Sequence, residues 1–277
     1  ALSAVLLPML GAAAHAPILL ADLPKLEGRI DGAGALLRAP VAMIAREAAF
    51  RLRWHEAASE EKFDGDAERE LFERLKDPPS VSSPSVYIAP IMLAVEADGY
   101  AARRLGDVTA AISGDAAERA ILRIAAFSML QDDPASAPYG WTHALTMPLG
   151  VFGCAPFVAD KRALVRIAAT YALGFRATLG KVRLEARPPE PARGRDFRDV
   201  KPEAAAGAVY HADPAEFPRI RAALAARAAT HRDTHLAKYT LACFEAAGRD
   251  PEAARLYLAA AARLGAWWDA HPDERFE

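Results

Sequence analysis

The stretch GRDPEAARLYLAAAARLGAWWDA (248–270) decides the fold class. Gly248 stops one helix, Asp250 caps the next, and Pro251 takes the first helical position, where its missing N–H costs nothing. Beyond it, Tyr257, Ala261, Leu264 and Trp268 recur at helical spacing on one face, with Arg255 and Arg263 off that face. The same punctuation recurs upstream. Gly114-Asp115 followed by Glu118 reads as a terminating glycine and an acidic N-cap with its capping-box partner. Asp160 and Asp213-Pro214 read as two further starts.

Alanine, the best helix former, makes up roughly a fifth of the chain. No run of alternating β-branched residues is bounded by tight-turn dipeptides. The expectation is an all-α protein, one large multi-helix bundle of about nine or ten helices with no significant sheet. Helices are expected near 3–22, 31–59, 66–76, 85–112, 115–130, 139–153, 160–180, 215–229, 231–247 and 251–270. The single domain is expected to span 1–277, with an irregular loop at 187–213. That loop opens on RPPEPARGR (187–195), which cannot continue a helix, and it either links two parts or straps the bundle. Strapping is favoured, because the residues beyond it make a thin independent domain. DPPSVSSP (77–84) marks another break.

Composition narrows the function classes. Of 277 residues, 52% are hydrophobic and 25% charged, enough apolar material for a substantial core. A formal net charge of −2 gives no field to recruit a polyanion, which disfavours nucleic acid. Cys154 and Cys243 form no CxxC pair and read as small buried hydrophobes, consistent with a reducing cytoplasm. The opening ALSAVLLPMLGAAAHAPILL (1–20) resembles the end of a signal peptide, but it lacks a basic lead and is interrupted by Pro8, His15 and Pro17. It is also short for a membrane span. No dinucleotide, P-loop, GxSxG or kinase signature occurs. GRIDGAGA (28–35) is glycine-rich without a preceding strand.

The histidines carry the chemistry. His231 and His235 in THRDTH (230–235) are spaced i, i+4, which on one helix turns both rings the same way. Such a pair can chelate a metal, but no HExxH or diiron motif completes it, so a metal at His231/His235 is a minority reading. His143 in YGWTHALTMP (139–148) sits on an apolar helix with Trp141 and Thr146 nearby. His15 is lone among alanines. For either alone, a core imidazole with satisfied nitrogens is the plainer reading. Together, His15, His143 and His235 on separate apolar helices point to a polar cluster inside a bundle, the form of a small-molecule site. His55, His211 and His271 are expected to be solvated. Tyr139, Trp141, Tyr239, Trp267 and Trp268 are candidates to line a pocket for a planar substrate, with core packing as their default.

Three segments resemble the questin oxidase family: LLPMLGAAAHAPI (6–18), THALT (142–146) and DTHLAKYTLA (233–242). The matching positions are His15; His143 with Thr146; and Asp233, His235 and Lys238, followed by Ala242, Cys243 and Glu245. An arginine expected soon after the first histidine is replaced by Leu19 and Leu20. The resemblance implies an all-helical fold and an oxidoreductase of secondary metabolism. Its chemistry would be a Baeyer–Villiger-type oxygen insertion into an anthraquinone-like or other polyketide-type aromatic, with NADPH as reductant. It also implies that His15, His143 and His235 line the site. Catalytic roles are expected for His15, His143, His235 and Lys238, and substrate binding by Trp141, Thr146, His231 and Tyr239. The implied partner is a small aromatic substrate, with neither nucleic acid nor membrane, and homodimerisation stays open. The alternatives are a non-catalytic helical module binding a ligand or partner with structural histidines, or a histidine-ligated metal protein.

Overall fold

Capped, alanine-rich segments fold as expected: every regular element among the described residues is helical, and no strand occurs among them. The computed structural model describes residues 15–26, 33–46, 52–56, 63–192, 197–198 and 200–274. The start of the helix expected at 3–22 and parts of the one expected at 31–59 lie outside these residues. The helices are α1 (Ala16–Leu26), α2 (Arg38–Arg46), α3 (Ala67–Lys76), α4 (Ile88–Glu96), α5 (Tyr100–Ala111) and α6 (Gly114–Gln131). They continue with α7 (Thr142–Gly153), α8 (Lys161–Leu179), α9 (Pro202–Tyr210), α10 (Phe217–Thr230), α11 (Thr234–Arg249) and α12 (Ala254–Ala270). None of the described helices is long and apolar enough to cross a membrane.

The chain divides into two compact units, one of residues 1–121 and 146–178, the other of 122–145 and 179–277. In the first unit, Leu71 and Leu75 of α3, Ile91, Met92 and Val95 of α4, Leu105 of α5, and Tyr171 and Phe175 of α8 form a buried core. Gly174 lets α8 approach α4: a Cβ there would lie 2.7 Å from the Met92 methyl. Trp54 Nε1 donates to Thr170 Oγ1 at 2.9 Å, and Arg74 grips Asp107 with both terminal nitrogens. The helix expected over 85–112 is broken. Asp98 and Gly99 adopt φ of 55° and 68°, the left-handed region that aspartate and glycine tolerate best, so α4 stops and α5 begins anew. The cap read at Asp115 belongs to Ser113, whose Oγ accepts from Ala116 N–H at 3.3 Å.

In the second unit α12 is the hub. Every residue from Leu256 to Trp268 is buried, and the helix packs chiefly on α9 and α11. Arg263, off the apolar face, is enclosed as well. Its guanidinium donates to the Met129 carbonyl and to Glu203 Oε1, which allows a buried cation. Asp250 is likewise buried. It accepts two 2.7 Å bonds from Arg123 and one of 2.9 Å from the Tyr257 hydroxyl, so it is a network centre rather than a side-chain cap.

The stretch expected to be irregular over 187–213 contains α9, because Pro202 opens a helix that the alanines of PEAAAGAVY sustain. The proline-rich part lies as a strap against the end of α9. Gly207 of α9 meets the Glu190 carbonyl so closely that a Cβ would stand 2.0 Å from it, and His211 Nε2 donates to the Pro189 carbonyl at 2.8 Å. A Gly207→Ala substitution should therefore lift the strap and lower stability by about 1–3 kcal/mol, read by denaturant unfolding. An unchanged midpoint would contradict this close approach.

Candidate active site

Local structure in the second unit brings His143, His235, Lys238, Asp233 and Tyr139 together. A π-helical turn (Ala137–Trp141) precedes α7. Such widened turns recur at functional sites because they re-aim backbone groups. Gly140 is required there, since a Cβ would lie 2.5 Å from Leu179 Cδ1. The Tyr139 carbonyl accepts the Thr142 N–H and also His143 Nδ1–H at 2.8 Å. A carbonyl only accepts, so this bond assigns the proton of the neutral ring to Nδ1 and leaves the Nε2 lone pair open. Lys238 Nζ lies 2.9 Å from that Nε2 and donates to it. His143 is fully buried and Lys238 half-buried. Burial lowers the Lys238 ammonium to about 8, against the opposing pull of Asp233.

Asp233 both caps and orients. Its Oδ1 accepts the His235 backbone N–H at 2.7 Å, starting α11, and the His235 Nδ1–H at 2.8 Å. The carboxylate thus fixes the tautomer and leaves Nε2 as the basic nitrogen, the second-residue logic of many acid–base sites. Burial lowers the His235 pKa first, and the Lys238 charge second, while Asp233 opposes both. The two imidazoles stand edge to face at 5.2 Å between ring centroids, and their nitrogens approach within 4.8 Å. The Tyr139 ring lies 4.3 Å from the His143 ring and 5.6 Å from that of His235. The result is a base, a cation paired with a second imidazole, and an aromatic wall.

The other expected site residues are placed as follows. His15 lies in the first unit, directly before α1, where its carbonyl accepts the Leu19 N–H at 3.1 Å. Thr146, one turn past His143, is buried. Trp141 is anchored by Nε1–H to the Asp133 carbonyl at 3.1 Å and is fully buried. Tyr239 is fully buried beside Cys243, which places its hydroxyl in the core. His231 precedes Asp233, the N-cap of α11, so it shares no helical face with His235, which corrects the placing of both rings on one helix. Its Nδ1 accepts the Asp233 N–H at 3.1 Å, and its ring lies 5.0 Å from that of Trp268.

His55, expected to be solvated, is buried in a short 3-10 turn, and its Nδ1 has no hydrogen-bond partner among the described residues. His271 is exposed, and stacks on Trp267 at 4.2 Å. Both cysteines are buried outside any disulfide, and burial raises the Cys154 thiol to about 12, which makes it inert as a nucleophile. Sequence reading set Asp233 among the matching positions without giving it a role, and did not use the Tyr139 carbonyl. The Asp-x-His spacing was the available signal for the first.

A separate cavity of about 620 Å³ lies between the strap and helices α9 and α12, and neither histidine nor Lys238 lines it.

Burial gives a pH dependence. His55 and His235 both titrate below their ordinary 6.5 in the folded chain. The unfolded chain therefore binds the extra protons first as pH falls past about 6.5, and stability present in full above that value is lost through it. The melting temperature should fall between about pH 8 and pH 5, and His55→Gln should flatten part of the slope. A flat profile for the wild type would contradict this.

No family model, curated protein or solved structure matches the chain.

Proposed function

We propose that the chain is a questin oxidase-like oxidoreductase acting on a hydroxylated aromatic, polyketide-type small molecule. The observation that carries this reading is the meeting of the Asp233–His235 pair with the Lys238–His143 pair against the Tyr139 ring. His235 Nε2 takes the proton of a ring hydroxyl, and Asp233 stabilises the imidazolium that forms. The Lys238 ammonium, backed by His143, faces the developing phenolate, and in a largely buried setting that attraction is stronger than in water. Tyr139 offers a face for the ring. A phenolate is electron-rich and open to attack by oxygen, the reaction class that the resemblance implies.

The resemblance also implies NADPH. The described residues do not supply a familiar cradle for it: they contain no strand from which a strand–turn–helix phosphate loop could spring, and residues 33–37 form a 3-10 helix. The role of this chain's own residues is proton removal and anion stabilisation. Two buried cysteines outside any disulfide suit a reducing cytoplasm.

The test is aerobic incubation with a panel of hydroxyanthraquinones, with and without NADPH, followed by mass spectrometry. A product heavier by one oxygen atom is expected. Ligands that bind at the site and return unchanged throughout would leave a binding module instead.

A further inference from the structure

We propose that Lys238 is also a nucleophilic amine, forming a Schiff base with the carbonyl of an aromatic aldehyde or ketone held at this site. The inference shares the site of the reading above but does not depend on its oxygen chemistry.

Most lysines cannot do this because the ammonium has no lone pair and no nearby group to relieve it of a proton. Lys238 differs in its geometry. Its Nζ is directed at His143 Nε2, 2.9 Å away, and the Tyr139 carbonyl holds the other ring proton on Nδ1. Nε2 is therefore a ready acceptor, and the imidazolium formed would keep its Nδ1–H bond to Tyr139. Asp233 spends Oδ1 on the His235 ring and backbone. Burial acts in the same sense, lowering the amine to about 8. The side chain is half-buried, so it is shielded and still within reach. Tyr139 and the two imidazoles provide flat walls, which select an aromatic carbonyl compound.

The step balances without oxidant or reductant. Lys238 passes one proton to His143 Nε2, and the freed amine attacks the carbonyl carbon. The C=O π pair moves to oxygen, which takes a proton from the nitrogen, giving a neutral carbinolamine. The nitrogen lone pair then expels the hydroxyl, which leaves as water with the proton returned from His143. The product is a protonated imine, so one amine and one carbonyl yield one C=N bond and one water.

The experiment treats the intact protein at about pH 7 with 4-hydroxybenzaldehyde and sodium cyanoborohydride, then maps modified peptides against time. Lys238 should be labelled at least about tenfold faster than Lys201, which is exposed and shows no comparable setting. Lys238→Arg should lose that label and leave labelling at Lys201 unchanged, with the same helical spectrum. His143→Phe should slow labelling at Lys238 by about tenfold or more, because the acceptor beside the amine is gone. Labelling of Lys238 no faster than Lys201 in the wild type overturns the proposal, and needs no variant to fold. Trapping without oxygen insertion would sink the oxidase reading alone, and the converse would sink this one.

Discussion

Replacing His235 with alanine should slow turnover of a hydroxylated aromatic by about 10²–10⁴-fold while leaving the helical fold intact, the usual loss when a general base is removed. The fold should survive because the cap of α11 is made by Asp233 to the backbone N–H of residue 235, which alanine keeps. The ring is almost fully buried, so some stability is lost as well, of order 0.5–3 kcal/mol. Rate and melting temperature measured on one sample separate the two effects. His143→Ala should act similarly on rate, since it removes the partner of Lys238. Variants that melt early but turn over normally at low temperature would make both rings packing rather than chemistry.

Asp250→Ala should destabilise the second unit by about 3–5 kcal/mol, the cost of breaking a buried pair from one side. Its carboxylate accepts from Arg123 Nε and from an Arg123 terminal nitrogen at 2.7 Å each, and from the Tyr257 hydroxyl at 2.9 Å, with 2% of the residue exposed. Removing it leaves a guanidinium and a phenol facing a void between the start of α12 and α6. Arg123 also reaches Glu252 at 3.6 Å, but that carboxylate is largely exposed and offers little in exchange. Urea unfolding reads the effect. A loss below about 1 kcal/mol would mean that Arg123 escapes to water without cost.

The fold class was legible because helices announce themselves locally. Caps such as Asp213, whose Oδ1 accepts the Ala215 N–H at 2.9 Å, and Asp160, which does the same for Ala163 at 3.0 Å, are short-range chemistry. Where tertiary contacts decide, the sequence was less informative. Nothing local distinguishes Arg263, buried against Met129, from the half-buried Arg255 of the same helix, because burial is set by α9 and α6, far away in the chain. His55 misled for the same reason: its charged neighbours suggested solvent, while packing buried it.

The candidate site was half legible. The Asp-x-His-x-x-Lys spacing puts Asp233, His235 and Lys238 at one helix start, a short-range fact. The meeting of Lys238 with His143 spans 95 positions and depends on a π turn, which no local pattern gave away. The hexapeptide reading of His231 and His235 failed because the helix begins after His231, so i, i+4 spacing there carried no helical geometry.

The central claim is that this cluster takes a proton from an aromatic hydroxyl and holds the anion. The most direct test is the visible spectrum of 2-hydroxyanthraquinone titrated with the protein, at a pH where the free ligand is a neutral phenol. The account predicts that the bound ligand shows the red-shifted phenolate band, that His235→Ala binds it as the phenol, and that Lys238→Met weakens the band. A ligand that binds as the neutral phenol to the wild type, or as the phenolate equally well in His235→Ala, would contradict the account.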